Sequence, residues 1–219
     1  MNILVTGGTG LAGAEVIRQA IADPEIKKIT TLTRRPLVIE HPKLETIIHK
    51  DFVNYSGLED VMSRQDACLW CLGISQSQVS QREYFVITYN YALAAAKALL
   101  SANPSITFLF LSGAGADTTE TSKTLFARVK GKTENALQSL GLKRLYIARP
   151  GGIRPIHKNP NTALTNKLMI PFFPLLQLLA PSMVINSVQL AKALLHIIKT
   201  TPDTMLFENK DLKRIASLL

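Results

Sequence analysis

A glycine-rich turn near the start of the chain is the feature that most constrains its fold. Residues 2–13 read N-I-L-V-T-G-G-T-G-L-A-G, an apolar strand that runs directly into glycines and then into a helical pattern. Glycine at Gly7, Gly10 and Gly13 would allow a sharp turn, close approach to a pyrophosphate and tight packing of helix on strand. The helix N-terminus would offer N–H groups and a positive dipole to the phosphates. The turn therefore predicts a nucleotide-cofactor site, with a plain structural turn as the alternative.

The rest of the chain alternates short apolar runs with longer segments of helical periodicity. Strands are predicted at 2–6, 28–33, 44–49, 67–72, 107–112 and 144–149, and helices at 11–22, 58–64, 81–102 and 125–140. Strand alternating with helix indicates a parallel sheet with right-handed crossovers. We therefore predict an α/β fold with a doubly wound parallel sheet, the Rossmann fold, in which ligand lies over the carboxyl ends of the strands.

The pattern changes after Pro150, where a loop-like segment precedes a dense apolar stretch, Leu168–Ala180. Prolines interrupt this stretch and it is too short to span a membrane. It would line the core or a substrate pocket, or contact another subunit or partner protein, or touch a membrane surface. A helix at 186–199, a short strand near 205–207 and a final helix from 209 follow. We predict one domain over residues 1–219, with residues 151–219 as a small extension that covers the substrate side.

Charge is concentrated in one part of this basic chain, which has a net charge of +9. Between residues 121 and 200 there are twelve Lys or Arg and one acid, Glu134. This is either a solvated surface or a field that attracts a phosphorylated cofactor, an anionic substrate or an acidic membrane. Because the basic residues are dispersed and no aromatic cluster accompanies them, nucleic acid is not the expected partner.

The two cysteines and the first residues of the chain indicate which cellular compartment to expect. Cys68 and Cys71 lie three residues apart in a predicted strand, so they point to opposite faces and are expected to be buried and unpaired. Met1 begins the fold directly, with no charged segment that would predict a secretory signal. A reducing, cytoplasmic compartment is the expectation. No metal site is predicted.

The end of the second strand bears on the choice of cofactor. It reads T-L-T-R-R and carries no acid, whereas an Asp or Glu there would bind the ribose 2′-hydroxyl of NAD. Arg34 and Arg35 offer planar guanidinium groups that suit the 2′-phosphate of NADP. The sequence therefore favours NADP over NAD, and a pair of surface arginines is the alternative.

Two further strand ends carry weaker signals for the same site. Asp51 follows the third strand, where it would accept a hydrogen bond from the adenine amino group while Phe52 packs on the ring. Gly73 follows the fourth strand, where it would let the backbone pass close to the second ribose of the cofactor. Ordinary turn residues are the alternative at both places.

The ordered set of motifs resembles one family. The motifs are T-G-G-T-G-L-A-G (6–13), T-R-R (33–35), D-F (51–52), L-G (72–73), L-S-G-A-G-A-D (111–117), F-A-R-V-K-G-K-T-E (126–134) and R-P-G-G-I (149–153). They resemble the atypical short-chain dehydrogenase/reductases, in the branch of the Tat-interacting tumour-suppressor oxidoreductase and its bacterial relatives. The resemblance implies a set of cofactor-binding residues: Gly7, Thr9, Gly10, Leu11, Gly13, Arg34, Arg35, Asp51, Phe52, Leu72, Gly73, Lys130, Pro150 and Gly151.

The catalytic pattern implied by the resemblance is incomplete. That family uses a Tyr-x-x-x-Lys pair, with a Ser about a dozen residues earlier, to exchange a proton with the substrate oxygen. Lys130 is present, but Phe126 stands where the tyrosine should be. The serine position falls on Ser112 or, by strict spacing, on Gly113. Lys130 and Ser112 are the candidate catalytic residues.

Three functions are compatible with these observations. The first is an NADP-preferring oxidoreductase-like protein that acts on an unknown small molecule. The second is a non-catalytic sensor of NADPH that presents a surface to a partner protein or to a second copy of itself. The third, weaker because it needs the same tyrosine, is a nucleotide-sugar epimerase or dehydratase.

Overall fold

The computed structural model describes residues 1–157 and 183–219. Its strands are β1 Asn2–Thr6, β2 Lys28–Thr33, β3 Leu44–Ile48, β4 Ala67–Trp70, β5 Thr107–Leu111, β6 Arg144–Arg149, β7 Gly152–Arg154, β8 Val184–Asn186 and β9 Leu206–Glu208. Its helices are α1 Leu11–Ala22, α2 Glu59–Ser63, α3 Gln81–Phe85, α4 Tyr91–Ala102, α5 Leu125–Gln138, α6 Ser187–Thr200 and α7 Asn209–Ser217, with a π-helical turn Val86–Asn90 between α3 and α4. The predicted apolar stretch Leu168–Ala180 lies outside the described residues.

Seven strands form one sheet in the order β3-β2-β1-β4-β5-β6-β9, and every pair is parallel. The predicted α/β doubly wound sheet is therefore confirmed. The strand order reverses between β1 and β4, and the glycine turn follows β1 at that point. In open α/β sheets the ligand crevice lies at such a switch point, outside the carboxyl ends of the strands.

Both faces of the sheet are covered by helices. In β1, Ile3 and Val5 face the layer of α1 and α6, whereas Leu4 faces the layer of α4 and α5. All three are buried, which explains why the strand is apolar at every position rather than at alternate ones. The sheet is thus fixed from both sides, and its carboxyl edge is held in place for a site.

The C-terminal part of the chain contributes more to the sheet than the sequence suggested. β9 pairs with β6 as the seventh strand, and α6 packs on α1. Lys199 of α6 pairs with Asp23, at the end of α1, at 2.8 Å. Most of the described part of 183–219 therefore completes the Rossmann layers instead of covering the substrate side. Among the described residues of this region, Met183 and the start of α7 lie toward that side.

Several predicted strands end one or two residues earlier than expected, at the edge where loops leave the sheet. Cys71 thus lies beyond β4, while Cys68 is buried inside it, and both are free thiols. Burial raises the pKa of both thiols, that of Cys71 to about 12. Neither is activated as a redox thiol would be, which agrees with the structural role predicted for them.

By length and composition alone, one described helical stretch, Gln81–Ala102, would be able to cross a membrane. A core helix meets the same criterion, so this is weak evidence. Within this stretch Leu93, Ala96 and Leu99 are buried against the sheet. The described packing therefore gives these apolar residues a structural role.

Candidate cofactor and substrate site

The glycine turn has a geometry that side chains would prevent. Gly7 has φ +69°, in the left-handed region, and a Cβ there would lie 2.6 Å from the carbonyl oxygen of Cys71. A Cβ on Gly13 would overlap the carbonyl oxygen of Gly7. The Gly10 N–H donates to the same carbonyl at 2.8 Å. The residue after β4 and the first turn of α1 therefore both pack directly against the backbone of the glycine turn.

The N-terminus of α1 follows directly on the glycine turn and suits an anion. Gly10 is its N-cap, flanked by Thr9 and Leu11, and a glycine has no side chain with which to cap the helix. The first turn contains no acidic residue that would offset the positive end of the helix dipole. Close backbone approach and a helix terminus with no acidic residue in its first turn together fit the pyrophosphate of a dinucleotide.

The two arginines after β2 lie where the sequence placed them. Arg34 and Arg35 are exposed, and neither forms an ion pair with a described residue. The Thr33 hydroxyl donates to the Arg35 carbonyl oxygen at 2.9 Å and fixes the turn that carries both. Two guanidinium groups therefore extend from the strand end that faces the adenosine half of a dinucleotide in this fold.

The prediction that the Phe52 ring packs on the adenine is wrong. Its side chain is 1% exposed and stacks on Tyr91 with ring centroids 5.7 Å apart, so it is not available to pack on an adenine ring. A large apolar ring next to the α4 layer gains more from burial than from a place at the crevice. Asp51, by contrast, is exposed, and its Oδ1 accepts from the Val53 N–H at 3.1 Å.

The loop after β4 is tied to the glycine turn through β1. The Leu72 N–H donates to Thr6 Oγ1 at 3.2 Å. Gly73, which follows, is exposed, and a Cβ there would meet nothing within 4 Å. Packing among the described residues thus gives no reason for glycine at this position, whereas a ligand lying above the turn would.

Lys130 lies in α5, at the carboxyl ends of the central strands. Its Nζ donates to the Leu111 carbonyl oxygen at 2.9 Å and lies 4.7 Å from the centroid of the Phe110 ring. The side chain is nearly buried, and desolvation lowers its pKa to about 8, against the opposing effect of the Glu134 carboxylate. Lys130 is therefore a buried amine held in one position, with a pKa about one unit above neutral pH.

This pKa predicts how stability changes with pH. Between pH 8 and 10.5 the unfolded chain keeps a proton that folded Lys130 has lost, so stability rises with pH in that window. We expect the difference in unfolding free energy, wild type minus Lys130→Met, to rise by up to about 3 kcal/mol across it. Urea unfolding at several pH values measures this, and the variant cancels the other titrating groups. A difference in unfolding free energy that does not change with pH would contradict the lowered pKa of Lys130.

Phe126 and Gly113, which both differ from the family's catalytic pattern, are in contact with each other. A Cβ on Gly113 would lie 2.6 Å from Cζ of Phe126, and the other two near atoms are the adjacent ring carbons. The ring therefore approaches tip-first and fills the volume that a side chain at 113 would need. The Phe126 N–H, at the start of α5, donates to Gln76 Oε1 at 2.9 Å. The phenylalanine at 126 and the glycine at 113 are therefore in direct contact, and each fits the space that the other leaves.

A buried polar network beside this arrangement was missed in the sequence. Glu134, one turn after Lys130, is 1% exposed and accepts hydrogen bonds from the Ser112 hydroxyl and from two guanidinium nitrogens of Arg149. Arg149 also pairs with Glu208 at 3.1 Å, so it joins α5 to the start of α7. The one available signal was that Glu134 is the single acid in a long basic stretch.

A cavity of about 630 Å³ opens beside the network. Its described lining residues are Ser112, Gly113, Ala114, Phe126, Pro150, Gly151, Gly152, Ile153, Met183, Glu208, Asn209 and Lys210. The structure thus brings together Ser112, Pro150 and Gly151 of the predicted site. None of these described lining residues is a tyrosine, histidine or cysteine, and the described residues contain no cluster that would hold a metal ion.

The loop that closes the cavity is held by the backbone. The Gly151 N–H donates to Asn209 Oδ1 at 2.8 Å, and the Ala114 N–H donates to the Pro150 carbonyl oxygen at 2.8 Å. A Cβ on Gly151 would overlap the Met183 carbonyl oxygen. The loop after β6 is therefore fixed against both β5 and α7.

Comparison with known proteins agrees with this geometry. Residues 3–133 match the family described as NAD dependent epimerase/dehydratase. The mitochondrial protein FMP52 of Candida albicans is 31% identical over 157 residues, which cover 70% of this chain and 67% of FMP52. Protein HTATIP2 of Rattus norvegicus is 25% identical over 153 residues, which cover 68% of this chain and 62% of HTATIP2. The chain thus spans about two thirds of the length of these relatives.

Among solved structures, a mutant UDP-glucuronic acid 4-epimerase from Bacillus cereus, with a tyrosine changed to phenylalanine, was determined with bound NAD. Its TM-score is 0.70 at 12% sequence identity, and the match covers 95% of this chain and 77% of that one. Such a likeness shows the fold alone, and the family match carries the assignment. The chain therefore belongs to the NAD dependent epimerase/dehydratase family, as a nicotinamide-dinucleotide-binding Rossmann protein of the atypical short-chain dehydrogenase/reductase type.

Proposed function

We propose that this protein binds NADP(H) in preference to NAD(H) and has lost the tyrosine-dependent reductase chemistry of its family. The preference is supported by Arg34 and Arg35, which are exposed and unpaired among the described residues. No acid stands at the end of β2 to receive a ribose 2′-hydroxyl. Arginine binds phosphate in a planar, bidentate manner, so the pair suits a 2′-phosphate.

The loss of chemistry is supported by one observation above all, the seating of the Phe126 ring against Gly113. A phenylalanine cannot exchange a proton, and general acid catalysis contributes about 10²–10⁴-fold to such reactions. Cofactor binding is compatible with this change, because the Bacillus cereus epimerase with a tyrosine replaced by phenylalanine was solved with NAD. The favoured role is a cofactor-bound protein that responds to NADPH and takes a second ligand in the cavity.

A second candidate is an oxidoreductase that uses a different proton donor. Lys130 favours it, because burial lowers its pKa to about 8, within reach of working pH. A nucleotide-sugar epimerase is the third candidate, and the fold of the UDP-glucuronic acid 4-epimerase is its support. It is weaker because the lining residues in the described part of the cavity include no tyrosine.

Turnover assays test the proposal. We expect the wild type to bind NADPH and yet not to oxidise it with a panel of aliphatic and aromatic aldehydes and ketones. Phe126→Tyr should remain inactive, because the ring approaches Gly113 tip-first and a hydroxyl on Cζ would press against that backbone. Absorbance at the reduced-nicotinamide band measures NADPH oxidation by the wild type and by Phe126→Tyr. Turnover by the wild type would contradict the proposal, and turnover gained by Phe126→Tyr would contradict the seating of the ring.

We also propose that the protein resides in a reducing compartment. Its two free thiols support this. The expected cytoplasmic location finds no support from FMP52, which is described as mitochondrial. Cell fractionation distinguishes the two, and co-purification from the native host would identify a protein partner or a homodimer.

A further inference from the structure

We propose that Ser112 presents only a hydrogen-bond acceptor to the cavity, so the site selects ligands that carry a donor, such as a hydroxyl or N–H group, on a largely apolar body. The inference rests on the proposed function, since it names the ligand class of the same site. It differs from the ordinary role of a serine that donates to a substrate carbonyl.

The direction of the Ser112–Glu134 hydrogen bond follows from the partners of Glu134. Arg149 donates to both carboxylate oxygens, from Nε to one and from a terminal nitrogen to the other. A carboxylate that receives two guanidinium donors is held in its ionised form and carries no proton. The hydrogen in the Ser112–Glu134 bond must therefore come from the Ser112 hydroxyl.

The Ser112 hydroxyl cannot easily turn its hydrogen away from Glu134. A hydroxyl has a single hydrogen, and turning it toward the cavity would deprive a carboxylate that is 1% exposed of one of its partners. The Ser112 N–H is also occupied, since it donates to the Ala148 carbonyl oxygen at 2.8 Å. Toward the cavity, Ser112 therefore offers the lone pairs of its oxygen and no hydrogen.

The surroundings of Ser112 define the rest of the ligand. Ala114, Phe126, Pro150 and Ile153 make the cavity wall mostly apolar. The Glu208 carboxylate adds a second group that can only accept, and it is itself held by Arg149. A carbonyl oxygen placed against Ser112 would be desolvated without receiving a hydrogen bond, whereas a hydroxyl there would donate one.

Matched probes test this with the intact protein. Cyclohexanol, its methyl ether and cyclohexanone share one skeleton, but only the alcohol can donate. We expect cyclohexanol to bind at least about fivefold tighter than the other two, which is the effect of one hydrogen bond. Dissociation constants come from chemical-shift titrations of the protein, with and without NADPH. The cofactor-free series keeps the test separate from the proposed NADP(H) binding.

Two variants locate the effect. Ser112→Ala should bring the alcohol-to-ketone ratio to about one, whereas Ser187→Ala should leave it unchanged. Ser187 is the control because it is also a buried serine, accepts from the Ile156 N–H at 3.2 Å and does not line the described cavity. If Ser112→Ala does not fold, the three probes on the wild type decide alone. A ketone or ether that binds as tightly as the alcohol, a ratio unaffected by Ser112→Ala, or no binding of any probe would overturn the proposal.

Discussion

Gly13→Ala is expected to abolish saturable NADPH binding and to lower the free energy of unfolding by about 3 kcal/mol. The added methyl group would overlap the Gly7 carbonyl oxygen, which already accepts a hydrogen bond from the Gly10 N–H. The first turn of α1 would have to move away from β1, and the backbone N–H groups of the glycine turn would move with it. Urea unfolding and isothermal titration calorimetry measure the two effects.

Gly73→Ala is the matched control for that change. A Cβ at Gly73 meets nothing within 4 Å, so we expect stability to stay within about 0.5 kcal/mol of the wild type. If the cofactor passes over this residue, NADPH affinity should still fall, by about tenfold. Loss of stability without loss of binding in Gly13→Ala would contradict the role of the glycine turn. Unchanged binding in Gly73→Ala would remove that residue from the site.

The second large effect concerns the choice between the two nicotinamide cofactors. The double change Arg34→Ala and Arg35→Ala should lower the affinity for NADPH about 50-fold. The affinity for NADH should fall less than about threefold, because only NADPH carries the 2′-phosphate. Both arginines are exposed and lack ion-pair partners among the described residues, so removing them should leave stability unchanged. Calorimetric titration with each cofactor measures the ratio.

Arg64→Ala is the control for that experiment. Arg64 is another exposed arginine, paired with Asp60 of α2 at 3.6 Å. Its replacement should change the affinity for neither cofactor. Equal weakening of NADPH and NADH by the double change would refute the NADP preference. It would leave the glycine turn as a dinucleotide site without a 2′-phosphate pocket.

The fold was predictable from the sequence because parallel strands buried on both faces are continuously apolar. Residues 2–6 and 107–111 illustrate this, and the helices between them follow a 3.6-residue period. β9 was harder to assign, since a three-residue strand carries little pattern of its own. Its place beside β6 depends on the helix before it, α6, packing on α1.

The site was predictable only in part. Glycines and charged residues at strand ends can be recognised from their spacing, so the sequence predicts Gly7, Gly13 and Arg35 as site residues. The burial of Phe52 and the pairing of Glu134 with Arg149 could not, since both depend on contacts between segments distant in the chain. Nothing local distinguishes a buried carboxylate from a solvated one.

Titration of the unaltered protein with NADPH and NADH is the most direct test of the account. The glycine turn, the acid-free first turn of α1 and the exposed Arg34 and Arg35 together predict saturable binding of both cofactors. NADPH should bind the tighter by at least about tenfold. Calorimetry on the wild type gives both dissociation constants in one series. Absence of binding for both cofactors, in a protein shown to be folded, would contradict the central claim that this Rossmann fold holds a nicotinamide dinucleotide.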